Sequence, residues 1–178
     1  IIALGETVSE PFDVIIIATK SLPSISYPSI LAPYLTDTTI LACIQNGIQI
    51  EPELQQCQPK NPFISGVAFI CVHRTSPTSI VHSDHGKLIF GIYPNGESND
   101  CDQLIKQFHL APIEVTKTSD IERVRWKKLI WNIAFNGISV SEGGLTTDKI
   151  IQTHRSLATH LMEEVLTVAK KMGQSFQP

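Results

Sequence analysis

The chain carries at residues 13–20 the segment Asp13-Val-Ile-Ile-Ile-Ala-Thr-Lys20, which is apolar at every central position and rich in β-branched residues. Polar residues do not alternate with the apolar ones. This pattern is typical of a strand covered on both faces, as in a parallel sheet. The pattern returns in Thr38-Thr-Ile-Leu-Ala-Cys-Ile44, with a helical stretch over 24–35 in between. Strand, helix and strand in this order predict a right-handed βαβ unit.

The residues that follow predict the rest of an α/β region. Ser83-Asp-His-Gly86 is a short polar segment between two apolar segments, and we interpret the three together as an antiparallel hairpin at a sheet edge. The elements predicted from periodicity are a helix over 51–57, a strand over 63–72, hairpin strands over 79–82 and 87–92, a helix over 100–108 and a strand over 112–116.

The pattern becomes helical after Ser119-Asp120. Residues 121–138 contain no proline and predict one long helix, Thr146-Thr-Asp148 is interpreted as a polar connection, and a second helix is predicted over 155–172, ending at Gly173. We expect further helices to cover these two, from residues beyond 178 or from another chain. The apolar stripe predicted for the second helix consists of Leu157, Leu161, Val165, Val168 and Met172.

Composition favours a globular cytoplasmic protein. The 178 residues are 42% hydrophobic, and 14 basic against 17 acidic residues give a net charge of −3. We therefore expect no nucleic acid and no membrane surface as partner. No apolar run approaches the roughly 20 residues that span a bilayer. Four cysteines without close pairing, two of them in strand-like runs, favour reduced core thiols over disulfides or a metal site.

Three polar residues recur at four-residue steps within an otherwise apolar helix. Lys128, Asn132 and Asn136 drift by only about 40° per step, so they form one polar line. The alternatives without a functional role are that the line is an ordinary solvated face of the helix, or that the asparagines are bonded to neighbouring backbone. Flanking Trp, Ile and Phe residues favour a line that faces a site. Lys127, about 100° around the helix, is expected to be a surface lysine.

This combination of residues suits the reduction of a ketone by hydride transfer. The developing alkoxide needs a cation or a proton donor, and a lysine ammonium is both. Asparagine amides bind hydroxyl and carboxylate groups without adding charge beside the lysine. Partial burial between aromatic flanks should lower the pKa of Lys128 and ease proton donation.

The polar line, together with Gln45-Asn46-Gly47, Ile64-Ser-Gly-Val67 and Thr146-Thr-Asp148, resembles the ketopantoate reductase (2-dehydropantoate 2-reductase) family of the ApbA/PanE type. The resemblance runs over essentially the whole chain. A Lys-x-x-x-Asn pattern by itself would also fit the wider β-hydroxyacid and 6-phosphogluconate dehydrogenase superfamily. The resemblance implies an α/β fold: residues 1–118 are the C-terminal part of a Rossmann-like NADP-binding domain, and residues 119–178 begin an all-helical domain for substrate binding and dimerisation.

The resemblance also implies a reaction and roles for five residues. The reaction is NADPH-dependent reduction of 2-dehydropantoate to (R)-pantoate, in the biosynthesis of pantothenate and coenzyme A, with Lys128 as general acid. Asn132 and Asn136 would bind the substrate, and Asn46 would lie beside the nicotinamide. Lys20 would face the same cleft, although a solvent-facing lysine at a strand end is the alternative. No metal is implied, and the partner that we expect is a second copy of the chain, in a homodimer through the helical region.

Some parts of the implied site are not found among residues 1–178. These residues contain no Gly-x-Gly-x-x-Gly motif, so we expect the first βαβ unit with its phosphate loop to lie outside them. The family's late glutamate and serine are expected after Pro178, and Glu163 and Glu164 are not assumed to replace them. The alternatives for function are a reductase of another 2-keto or β-hydroxy acid and a truncated, non-catalytic piece.

Three smaller features each have more than one interpretation. His82 and His85 fit a polar hairpin tip better than a metal pair, because no convincing ligand set surrounds them. Trp126 and Trp131 either stack on a cofactor or belong to the core, and we interpret them as core residues because large aromatics on a helix are more often core. Ser65-Gly66 either approaches a cofactor or eases packing within the sheet, and the sequence does not separate the two.

Overall fold

The computed structural model describes residues 10–22, 24–57 and 63–176. The chain divides into two compact units, residues 1–121 and 122–178. The first unit combines a mixed sheet with short helices, and the second is helical. An α/β region followed by a helical region is the order that the sequence predicts.

The sheet of the first unit has five strands in the order β1-β2-β3-β4-β5. β1, β2 and β3 run parallel, β4 is antiparallel to β3, and β5 is parallel to β4. Ile17 pairs with Cys43, and Cys43 pairs with Ser65, so β1 and β2 end at the same level of the sheet. The strands are β1 Val14–Ile17, β2 Ile40–Cys43, β3 Phe63–Ser76, β4 Ser79–Tyr93 and β5 Glu114–Lys117.

Alternate residues of β2 enter cores on opposite faces of the sheet. Leu41 and Cys43 pack in one core with residues of the first two helices, whereas Ala42 packs in the other with Phe90 and Leu104. The prediction of strands covered on both faces is therefore confirmed for β2. The helices of this unit are α1 Tyr27–Leu31, continued by a 3₁₀ turn over Ala32–Tyr34, α2 Glu51–Gln55 and α3 Asn99–Phe108.

The predicted hairpin around Ser83-Asp-His-Gly86 is wrong. Residues 79–93 form one strand, β4, which pairs along its length with β3, and β5 pairs with β4 only at residues 87–90. The polar segment is a pair of irregularities in the β3–β4 ladder, where His85 (φ 63°) and Gly86 (φ 130°) adopt left-handed backbone conformations. Glycine and short polar residues favour bulges as well as turns, which explains the wrong prediction.

The four cysteines are all free, but only some are core residues. Cys43 and Cys101 are completely buried, whereas Cys71 is exposed. The expectation that the Cys71 thiol belongs to the core is wrong because β2 pairs with β3 only at Ile64 and Ser65, so the outer half of β3 has β4 as its paired neighbour.

The second unit contains one long helical segment and two further helices. The long segment is α-helical at both ends, but its middle, Asn132–Asn136, is a π-helix. We call these five residues the π turn. The helices are α4 Ile121–Trp131, α5 Gly137–Ser141, α6 Thr147–Thr153 and α7 Arg155–Lys171. The predicted polar connection at 146–148 is thus wrong in part, because Thr147 already begins α6.

The buried face of α7 differs from the predicted stripe. Ala158, Val165 and Ala169 are buried, and α7 packs against the π turn and α6. Small alanine side chains allow this close approach, whereas Leu157, Val168 and Met172 remain 44%, 52% and 53% exposed. The predicted stop at Gly173 is confirmed by its positive φ of 84°. Within the described ranges, no helix is both long and apolar enough to cross a bilayer.

Candidate active site

The carboxyl ends of β1 and β2 are tied together by the side chain of Gln45. This side chain is 4% exposed, and its Nε2 donates to the Thr19 carbonyl at 2.7 Å and to the Tyr27 hydroxyl at 2.6 Å. The Tyr27 hydroxyl lies 2.9 Å from Thr19 Oγ1 and donates to the Lys20 carbonyl at 3.4 Å. We call Thr19, Tyr27 and Gln45 the strand-end network.

The strand-end network fixes the backbone beside two predicted site residues. Lys20 follows Thr19, and Asn46 follows Gln45, so both leave the same edge of the sheet. Both residues are exposed. Gly47, at φ 110°, supplies a backbone conformation that turns the chain away directly after Asn46. Exposed side chains at the carboxyl ends of parallel strands are placed where doubly wound sheets bind ligands. The exposure of Lys20 also agrees with the alternative of a solvent-facing lysine.

A buried polar pair lies next to this edge and has no counterpart in the sequence prediction. Ser65 Oγ donates to Glu51 Oε1 at 2.8 Å, and both residues are almost fully buried. Glu51 opens α2, and Ser65 belongs to β3, fourteen residues away. A glutamate in the first turn of a helix signals only a favourable interaction with the helix dipole, so the sequence alone gives no sign of this pair.

Gly66 is surrounded by packed atoms of the sheet. A Cβ at this position would lie 2.6 Å from Cε1 of the Phe90 ring and 3.0 Å from the Cys43 carbonyl oxygen. Of the two alternatives that the sequence left open for Ser65-Gly66, the contacts of Gly66 favour packing within the sheet.

Lys128 lies in the last turn of α4 and is partly buried. Burial, and secondarily the positive charge of the buried Arg125, lowers the pKa of the Lys128 ammonium below its ordinary value. Lys127, one position earlier, is exposed as expected. The fold thus separates two adjacent lysines into a surface group and a group adapted to lose its proton more readily.

The predicted polar line runs from α4 into the π turn. Asn132 is partly buried and opens the π turn, and Asn136 is exposed and closes it. A π-helix bonds residue i to i+5 and turns less per residue than an α-helix, so the α-helical drift of 40° does not describe the step between the asparagines. The sequence prediction of a uniform α-helix is wrong here. π turns within α-helices frequently occur at functional sites.

The two tryptophans of this segment have different environments. Trp126 is buried, as predicted, but Trp131 is 49% exposed, so its assignment to the core is wrong. The Trp131 ring lies against the Phe135 ring, with centroids 4.1 Å apart and planes at 32°. This aromatic pair spans the junction of α4 and the π turn, between Lys128 and Asn136 in the sequence.

The histidines of β4 do not assemble a metal site. His82 and His85 are exposed on the irregular part of the strand. Among the residues that the structure describes, no group of three histidine, cysteine or acidic side chains is arranged to hold a metal ion.

Comparison with protein families identifies both parts of the chain. Residues 3–95 match the family model described as ketopantoate reductase PanE/ApbA, and residues 120–178 match the model of its C-terminal domain. The chain belongs to the ketopantoate reductase family. The resemblance read from the sequence motifs is therefore confirmed.

Individual members of the ketopantoate reductase family are similar over nearly the whole chain. A 2-dehydropantoate 2-reductase of Nostoc sp. is 33% identical over 169 residues, which are 92% of this chain and 53% of the relative. The crystal structure of 2-dehydropantoate 2-reductase from Methylococcus capsulatus is 35% identical, has a TM-score of 0.85 and matches 96% of this chain and 55% of its own. The chain spans about half the length of these relatives.

A similar fold is also found in an enzyme that is not named as a ketopantoate reductase. A D-mandelate dehydrogenase, solved with NADH and anilino(oxo)acetate, has a TM-score of 0.79 at 16% identity, over 95% of this chain and 55% of its own. At this identity the likeness concerns the fold alone. The predicted fold class, part of a Rossmann-like domain followed by helices, is confirmed by the sheet, the helices and the ketopantoate reductase match.

Proposed function

We propose that the full protein that carries this chain reduces 2-dehydropantoate to (R)-pantoate with NADPH, in the cytoplasmic pathway to pantothenate and coenzyme A. The observation that carries the proposal is the partly buried Lys128, whose pKa is lowered by burial and by Arg125, in a chain of the ketopantoate reductase family. Membership of the family suggests the reaction, and the environment of Lys128 makes its ammonium group suited to donate a proton in that reaction.

In this proposal Lys128 Nζ binds the keto oxygen of the substrate and donates a proton to it. The ammonium stabilises the negative charge that develops as the carbonyl is reduced. Its lowered pKa brings it closer to working pH, where a general acid is most effective. Lys127 is exposed and takes no part.

Asn132 and Asn136 are proposed to bind the hydroxyl and neighbouring groups of the substrate. Their amides both donate and accept hydrogen bonds, and they add no charge beside Lys128. The π turn that carries them is packed against α7.

The proposed cofactor site uses Asn46 and Lys20. Both are exposed at the carboxyl edge of parallel strands, on backbone that the strand-end network fixes, and this arrangement fits a nicotinamide dinucleotide. NADPH, when bound, supplies the hydride. Asn46 is proposed to contact the nicotinamide end, and Lys20 to contribute a positive charge near the anionic cofactor. We propose residues 1–118 as part of the NADP-binding domain and residues 119–178 as part of the helical domain.

The test uses the protein expressed from its complete gene, with the rate of NADPH oxidation in the presence of 2-dehydropantoate as readout. Lys128→Ala should lower kcat by about 100- to 10,000-fold, the range lost with a general acid. Lys127→Ala is the matched control because it removes the same charge one residue away, and it should keep the wild-type rate. A Lys128→Ala enzyme as fast as wild type would contradict the proposal.

A second candidate function is the reduction of another 2-keto acid, or of the keto acid that corresponds to a β-hydroxy acid. It is favoured by the Lys128-x-x-x-Asn132 pattern, which also fits the wider β-hydroxyacid and 6-phosphogluconate dehydrogenase superfamily, since one scaffold serves different substrates. The ratio of kcat/KM for 2-dehydropantoate to that for other 2-keto acids decides between the two. A higher kcat/KM for another acid would replace 2-dehydropantoate as substrate and leave the role of Lys128 intact.

A further inference from the structure

The buried amide of Gln45 makes a cross-link that the sheet does not require. The backbone ladder already joins β1 to β2, and the Ile44 N–H donates to the Ile17 carbonyl at 2.8 Å where the strands end. Gln45 adds two short hydrogen bonds beyond that point, to the Thr19 carbonyl at 2.7 Å and to the Tyr27 hydroxyl at 2.6 Å. Both hydrogens of its Nε2 are therefore used outside regular secondary structure.

Each end of this cross-link adjoins a proposed cofactor residue. Gln45 precedes Asn46 directly, and the Thr19 carbonyl belongs to the peptide bond that leads into Lys20. The Tyr27 hydroxyl also donates to the Lys20 carbonyl at 3.4 Å. The backbone on both sides of Lys20, and Gln45 directly before Asn46, are therefore held to a common network of hydrogen bonds.

We infer that Gln45 is a positioning residue for the dinucleotide, because it holds the backbone of Asn46 and the backbone of Lys20 in the relative arrangement that binding requires. This inference rests on the proposed function. Binding energy depends on such preorganisation, since a loop that must be ordered by the ligand lowers its affinity. Gln45 acts through Asn46 and Lys20 and needs no contact with the cofactor.

A glutamate at position 45 would test the amide with minimal change of shape. An ionised carboxylate only accepts hydrogen bonds, so Gln45→Glu removes both donors and sets an acceptor against the Thr19 carbonyl. Tyr27→Phe removes the second partner and leaves the bond from Gln45 to Thr19. It is a milder variant that tests the same network if Gln45→Glu does not fold.

The opposite ends of the same two strands offer a matched control. Thr39 is buried, and its hydroxyl donates to the Phe12 carbonyl at 2.8 Å, beside the Ile40 N–H bond to the Asp13 carbonyl. Thr39→Val thus removes a buried side-chain cross-link between the chain entering β1 and the chain entering β2. It lies at the amino edge, away from Asn46 and Lys20.

The experiment measures the Kd of NADPH by calorimetry, and kcat at saturating NADPH, for the protein expressed from its complete gene. Gln45→Glu should raise Kd on the order of tenfold, as loss of about one well-made polar interaction does, and Tyr27→Phe should raise it less. Thr39→Val should leave Kd at the wild-type value. kcat at saturation should stay unchanged in all three variants, because Lys128 is not altered.

The outcomes separate this inference from the proposed function. If wild-type protein binds NADPH and both network variants bind it equally well, Gln45 is not a positioning residue, and the proposed function stands. If Thr39→Val weakens binding as much as Gln45→Glu, the effect is a general loosening of the sheet, and the inference is overturned. If wild-type protein does not bind NADPH, the proposed function fails and this inference fails with it.

Discussion

Lys128 connects the fold to a pH dependence at the scale of a single residue. Its pKa lies below the ordinary lysine value because of burial and the charge of Arg125. A general acid must carry its proton, so kcat/KM should fall as pH rises through the lowered pKa, earlier than an exposed lysine would cause. The pH–rate profile measures this. The Lys128→Arg variant should have a lower kcat/KM, and this kcat/KM should not fall at alkaline pH, because a guanidinium keeps its proton.

The titration of Lys128 is not itself expected to unfold the protein at alkaline pH. A lowered pKa means that the unfolded chain binds more protons at Lys128 than the folded chain between the folded pKa and the ordinary one. The contribution of this group to stability therefore rises with pH in that window. Circular dichroism along the same pH series should show a folded protein where the rate has already declined. Parallel loss of rate and of structure would contradict the role assigned to Lys128.

Gly66 and Gly137 should respond oppositely to the same substitution. Gly66→Ala places a Cβ 2.6 Å from the Phe90 ring, in a fully buried part of the sheet, and should destabilise the protein by about 1–3 kcal/mol. Gly137→Ala, the control, meets nothing within 4 Å in a helix and should stabilise by roughly 0.5–1 kcal/mol. Urea unfolding curves give both signs, and a neutral Gly66→Ala would contradict packing as the role of this glycine.

Sequence could separate some of these residues and not others. Lys127 and Lys128 differ by about 100° around a helix, so their different exposure follows from local spacing. Glu51 and Ser65 bond across fourteen residues, from a helix start to a strand, and no periodicity links them. The sequence marked Gln45 only as the residue before Asn46. It did not predict the hydrogen bonds of the Gln45 side chain, because the partners Thr19 and Tyr27 come together only when β1 and β2 pair.

At the scale of elements, buried strands were predictable and irregularities were not. β1 and β2 are recognisable by continuous apolar runs, and in β2 such a run reflects a strand that is covered on both faces. The irregularities of β4 and the π turn arise from hydrogen-bond register, which the apolar period does not encode. α6 was missed because its seven residues are too short for a helical period to stand out from a polar connection.

The π turn should be less protected than the α-helix that precedes it. π-helical hydrogen bonds are rare and occur mostly as single turns within α-helices, so we expect local opening to begin there. Hydrogen exchange of the complete protein should be faster at residues 133–136 than at residues 125–128. Addition of substrate with oxidised cofactor should slow exchange in the π turn if Asn132 and Asn136 bind it. Equal slowing throughout α4 and α7 would instead indicate general stabilisation.

At the scale of the whole molecule, the sequence predicted the order of the two units from the change in apolar pattern near residue 119, and the chain divides between residues 121 and 122. What it could not predict is the packing face of each helix. α7 carries two neighbouring apolar faces, and the alanine-rich one is buried within the unit while the bulkier one is not. Judged by hydrophobicity alone, the leucine and methionine side chains should be buried before alanine. Close packing of helices favours the small alanine side chain, and in α7 this preference decides which face is buried.

The bulkier face of α7 supports the proposal of a homodimer through the helical region. Leu157, Val168 and Met172 are about half exposed and lie eleven and four residues apart, which places them within roughly 60° on one side of the helix. Val168→Glu should shift the mass measured by light scattering from dimer towards monomer, because a charge would be buried in an apolar contact. Thr167→Glu, an exposed neighbour about 100° around the helix, should leave the mass unchanged. A wild-type protein that is monomeric at every concentration, or a Val168→Glu variant that stays dimeric, would show that this face of α7 is not where two copies meet.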